Sequence, residues 1–154
     1  MHSNIPYMEE ENLLTAIPDF KLYKDRSIYI ATFLGGPLAA GYLMSENFKK
    51  ISEADKAKRA WLIAIAATFG LVAALIFIPG IKKIPQYIIP IISALIAQSL
   101  VKKYQSDAIN DHIDKGGRVY TIWRAVLVAL IAVVALVGIT VILLIITDPS
   151  ILNN

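Results

Sequence analysis

The chain has 154 residues, of which 56% are hydrophobic and 18% charged, with a formal net charge of +3 and no cysteine. Ordinary soluble domains are about a quarter charged, so this composition points to one polytopic membrane domain and leaves little chain for a separate catalytic module. Without cysteine there are no disulfides, thiol nucleophiles or thiolate metal sites, and a modest basic excess in a membrane chain reports loops facing anionic lipid rather than a nucleic-acid surface.

Residues 1–27 carry Pro6 and Pro18 and lack the basic, apolar, small-residue plan of a cleavable signal peptide. Met8, Leu13, Leu14 and Ile17 share one side near Glu9, Glu10 and Glu11, which suits a short helix at the membrane surface as well as a loosely ordered tail. The first span is expected at about 28–44, with Gly35-Gly36-Pro37 in its middle. That triplet should bend or interrupt the helix, because Pro37 has no donor for the Phe33 carbonyl and its ring crowds the preceding turn. In lipid the gap is repaired by neighbouring helices, hydroxyls or water. The freed carbonyls either mark a packing kink or could coordinate an ion, as broken transporter helices do.

Ser52, with Asp55 three residues on, reads as a capping box. It opens a helix over 53–78 that protrudes into the cytoplasm before its membrane part, 61–78, and stops at Pro79-Gly80. A third span is expected at 84–101, with Pro85 in its first turn and Pro90 further inside. The polar but helix-compatible stretch 102–115 continues it, and Gly116-Gly117 provides a C-terminal stop. The fourth span, 123–147, runs without a charge after Arg124 to Asp148-Pro149, well beyond the roughly 20 residues a crossing needs. Residues 148–154 form a tail, and nothing repeats convincingly.

The predicted fold class is therefore all-α: a polytopic membrane domain over 28–147 with four transmembrane helices and two cytoplasmic helical extensions. Between the first two spans lie Lys49, Lys50, Lys56, Lys58 and Arg59, and between the last two Lys102, Lys103, Lys115, Arg118 and Arg124, ten basic residues against five elsewhere. That asymmetry places both connectors in the cytoplasm and both termini outside.

Apart from Arg124 at the very edge of the fourth, none of the four predicted spans contains Asp, Glu, Lys, Arg or His. Proton relays, coupled pumps and intramembrane proteases need such groups at depth, so a non-enzymatic chain without cofactor or metal is expected. Small residues do align. Gly35, Gly36, Ala39 and Ala40 beside Pro37 on the first span, and Ala64, Ala67, Gly70 and Ala74 on the second, form stripes that let helix backbones approach closely. On the third span Tyr87, Ser93, Ala97 and Gln98 share a face that either docks on other spans or lines a polar pathway. Asp107, Asp111, His112 and Asp114 cluster on the following extension, where a solvated helix face explains them better than a metal cage. Lys49, Lys50, Lys56, Lys58 and Arg59 are suited to lipid headgroups or a partner.

The run FLGGPLAAGYLMSENF from Phe33 to Phe48, KAKRAW from Lys56 to Trp61 and GGRVYTIWRA from Gly116 to Ala125 resemble a group of small uncharacterised bacterial membrane proteins. The resemblance implies four spans and a bacterial inner membrane, and it carries no activity or functional residue. The functional expectation is a membrane subunit or adaptor acting by helix packing, through self-association or with another membrane protein. The alternative is a homo-oligomeric channel or small transporter lined by the third span.

Overall fold

A computed structural model describes residues 17–147, apart from the side chains of Ile81 and Lys82, and is helical except for one pair of two-residue strands. In chain order the elements are β1 (Lys21–Leu22), α1 (Asp25–Lys50), α2 (Ala54–Phe77), a 3-10 turn over Pro79–Lys83, α3 (Ile88–Tyr104), α4 (Ser106–Asp114), β2 (Arg118–Val119) and α5 (Ile122–Thr147). By length and composition α1, α2 and α5 could each cross a membrane. α3, with 17 residues, lies at the short limit for a span. The expected N-terminal surface helix and the 148–154 tail fall outside the described residues.

α1 is not a single rod. A straight helix of its 26 residues would hold its ends about 39 Å apart. Instead the Tyr23 N–H donates to Asn47 Oδ1 at 2.8 Å, and Asn47 Nδ2 donates to the Tyr23 carbonyl at 2.9 Å. A second closure is independent of the first. Gln105 Nε2 donates to the Met44 carbonyl at 2.8 Å, while its neighbour Ser106 donates through Oγ to Asp25 Oδ2 at 2.7 Å. Both ends of α1 thus lie together, and the element is a hairpin of two helical arms, 25–35 and 37–50. The arms meet at Gly36, whose φ of 67° and ψ of −162° are open to glycine almost alone.

Pro37 then opens the second arm at a first-turn position, where its missing donor costs nothing. The segment expected as a single straight pass over 28–44 is instead bent back on itself, with both of its ends at one end of the bundle. At 1.5 Å per residue the arms reach about 16 and 21 Å, half to two thirds of a hydrocarbon core of about 30 Å.

α2, α3 and α5 surround the hairpin, each packing on it and making little or no contact with one another. Small residues permit this closeness. A Cβ on Gly35 would lie 2.8 Å from both the Cα and the carbonyl oxygen of Ala129 on α5. A Cβ on Gly41 would collide with the Ala64 methyl on α2 and sit 3.2 Å from the Ala60 carbonyl. Ala94, Ala97 and Val101 form the buried face of α3, and Ala125, Ala129 and Ala132 that of α5.

Two local expectations change. Ser52 does not cap α2; it adopts φ 62° and makes no capping side-chain bond. Its N–H reaches the Lys49 carbonyl at 3.3 Å, while the Glu53 N–H reaches that of Phe48 at 2.8 Å. That is the doubly bonded left-handed stop of a helix C-terminus, so Ser52 ends α1 rather than opening α2. α3 starts at Ile88, which leaves Pro85 in the preceding turn and brings Pro90 into the first helical turn. Gly116 does stop α4 as expected: its φ is 78°, its N–H bonds the Ile113 carbonyl at 2.9 Å, and the Gly117 N–H bonds that of His112 at 2.8 Å.

Candidate functional site

One end of the bundle is tied by a polar clasp. Lys21 and Leu22 pair in parallel with Arg118 and Val119, and the Tyr120 N–H continues the ladder to the Leu22 carbonyl at 2.9 Å. The two strands share a pattern, Lys-Leu-Tyr and Arg-Val-Tyr, and their tyrosine rings pack at a tilt of 34° with centroids 4.5 Å apart. Arg124 donates through Nε to the Tyr23 hydroxyl at 3.0 Å and lies 4.2 Å over the Tyr120 ring. Burial pushes the Tyr23 phenol above its ordinary pKa, an effect the Arg124 hydrogen bond opposes.

Beneath this lies the amide pair, with Asn47 Nδ2 3.3 Å from Gln105 Oε1 and both residues buried. His112 is also buried. It stacks on Phe20 at 4.7 Å and sits with Nε2 2.8 Å from the Arg118 carbonyl. The polar extension after α3 therefore carries one wet face, where Asp111 pairs with Lys115 at 2.8 Å, and one structural face.

A groove of about 700 Å³ opens beside the clasp. Its floor is the second hairpin arm, through Pro37, Ala40, Gly41, Met44 and Phe48. Its walls are α2, through Ala60, Ile63, Ala64, Ala67 and Leu71, and α3, through Ser93, Ile96, Ala97 and Leu100. The gap between α2 and α3 exists because each helix packs on the hairpin instead of on the other. Apart from the hydroxyls of Thr32 and Ser93, the lining is apolar except at the clasp end, where Lys56, Arg59 and Tyr104 form the mouth. Lys56 is held by an exposed ion pair to Glu53 at 2.7 Å, whereas Arg59 has no ion pair among the described residues.

The groove collects members of each set singled out in the sequence: Pro37, Ala40, Ala64 and Ala67 from the small-residue stripes, Ser93 and Ala97 from the third span, and Lys56 and Arg59 from the basic connector. Others lie elsewhere. Gly35 and Ala39 are buried against α5 and within the hairpin, Gly36 forms its tip, Gly70 is exposed and Ala74 half-buried. Gln98 is half-buried off the groove, and Tyr87 is exposed ahead of α3. Lys49 pairs with Glu46 at 2.7 Å, and Lys50 and Lys58 are exposed outside the groove.

Sequence reasoning missed Tyr23, Gly41, Asn47 and Gln105, and it placed His112 on a solvated helix face and Arg124 among the connector charges, where the structure buries the first and bonds the second to Tyr23. The duplicated basic-aliphatic-tyrosine tripeptide shortly before two apolar helices was a usable signal for the strand pair. No family model, curated protein or solved structure matches this chain.

Proposed function

We propose that the chain is a non-enzymatic integral membrane subunit that works by association within the bilayer, with another copy or another membrane protein, and takes no nucleic acid. The observation that carries this reading is the half-built bundle. The hairpin fills only the clasp end, and beyond its tip α5 has no buried residue after Ala132 and α2 has only Val72 after Thr68. Helices in lipid associate by packing of small surfaces, and a Cβ on Gly70 or Gly138 would meet nothing within 4 Å. Those surfaces are open to a second component.

The interior chemistry supports a structural role. The buried Thr32 and Thr68 hydroxyls each donate to their own helix at 2.7 Å, to the Ile28 and Ala64 carbonyls. The channel alternative draws less support, since Ser93 faces an apolar groove while Gln98 and Tyr87 lie off it. The proposed topology is three passes, by α2, α3 and α5, around one re-entrant hairpin. Thirteen of the 15 Lys and Arg residues then fall on the clasp side, against Lys82 and Lys83 on the other, a bias that supports a cytoplasmic clasp in the proposed bacterial inner membrane. This moves the start of α1 from outside to the cytoplasm, while the end of α5 stays outside as the sequence-based placement had it.

The absence of native cysteine makes the test clean. Single variants Val134→Cys and Gly138→Cys, bearing a photoreactive maleimide, should give a discrete crosslinked product in native membranes. A product of twice the chain mass identifies a second copy, and one of another fixed mass a different subunit. Monomer alone at both positions would remove the proposal.

A further inference from the structure

We infer that the groove between α2 and α3 holds one phospholipid with an anionic headgroup, its phosphate at Lys56 and Arg59 and an acyl chain lying on the second hairpin arm. The inference rests on the membrane-embedded reading of the bundle but is independent of whether the chain associates with a partner.

Three features select this occupant. Apart from the hydroxyls of Thr32 and Ser93, the groove is apolar along its length, and it is cationic at one end only, the polarity of a lipid and not of a transmembrane helix, which is apolar along its whole span. Its charged end is also the end where the aqueous clasp begins, so the headgroup would sit at the interface. Length fits as well. From Arg59 to Leu71 along α2 the groove descends about 18 Å, close to the roughly 15 Å that one leaflet contributes to the hydrocarbon core. A chain entering at the clasp therefore ends near the hairpin tip at Pro37.

Charge complementarity gives the headgroup preference. Arg59 is exposed and has no ion pair among the described residues. Lys56 is held by an exposed pair to Glu53 and lies 6.0 Å over the Phe48 ring; the exposed pair has little net value, so a phosphate can take it over. Tyr104 at the same mouth offers a hydroxyl. Lys49 and Lys58 carry the same charge nearby but do not line the groove, which supplies an internal control.

The test is native mass spectrometry of the full chain, released from nanodiscs containing equal amounts of phosphatidylglycerol and phosphatidylcholine. Wild type should retain one phosphatidylglycerol per chain under activation that strips phosphatidylcholine. Lys56→Gln/Arg59→Gln should lower that retention at least tenfold, since a surface Lys or Arg contributes on the order of a fivefold preference for anionic lipid. Lys49→Gln/Lys58→Gln, with the same change in net charge, should leave it intact. Ala67→Phe, which fills the groove without touching a charge, should abolish retention. Equal retention of the two lipids by wild type, equal loss in the two charge variants, or full retention by Ala67→Phe would overturn the inference. Protease resistance of each variant identifies any that has simply failed to fold, and Arg59→Lys then serves as a milder charge-preserving variant expected to retain the lipid.

Discussion

Asn47 uses both ends of its amide to join the two ends of the hairpin, accepting from the Tyr23 N–H, donating to the Tyr23 carbonyl and reaching Gln105. All three partners are buried where water cannot replace a lost bond. Leaving such a group without a partner costs on the order of 1–3 kcal/mol. Asn47→Leu, close in size but unable to bond, should therefore lower the thermal midpoint sharply, whereas Lys50→Gln on the exposed end of the same arm should not move it. Equal midpoints in a detergent melt would contradict this role for the clasp. None of it was legible in the sequence. Asn47 and Gln105 stand among charged residues at predicted span ends, where polar side chains ordinarily meet water, and their burial depends on a fold-back that no local pattern reports. The groove residues were easier to find because alanine spacing and clustered lysines are local signals.

At the scale of elements, Gly35-Gly36-Pro37 announced a break but not its direction. A kinked crossing and a reversal use the same residues, and the difference is decided by contacts 24 and 61 residues apart in sequence. The fourth span and the membrane part of α2 are set by unbroken apolar runs, and the bounds of both helices, Ile122–Thr147 and Ala54–Phe77, fall within a residue or two of expectation. Gly36 is the residue on which the hairpin turns. A non-glycine side chain at its φ and ψ meets strain of about 1–3 kcal/mol, although a Cβ there would touch nothing within 4 Å. Gly36→Ala should accordingly destabilise the fold through the backbone alone. Gly70→Ala, a helical glycine with equally open space, should be neutral or slightly stabilising. Reversal of that order in unfolding measurements would show that position 36 is an ordinary helical residue.

For the whole molecule, the hairpin explains why a bundle of this size is stable with its outer helices apart: one wedge supplies a common surface of glycine and alanine to three neighbours. It also gathers charge. Residues 17–24, both connectors and the starts of α2 and α5 share one end, where Arg118 pairs with Asp19 at 3.2 Å beside the clasp. A four-pass arrangement would put Lys24 and Lys50 on opposite faces of the membrane; the hairpin puts them on the same one. Single cysteines at these two positions, in a chain with none of its own, can be probed with a membrane-impermeant maleimide in right-side-out and inverted vesicles. Lys24→Cys and Lys50→Cys should both react in inverted vesicles and both be protected in right-side-out ones, with Lys83→Cys showing the opposite pattern. If Lys24→Cys reacts together with Lys83→Cys and against Lys50→Cys, α1 crosses the membrane and the re-entrant hairpin is wrong.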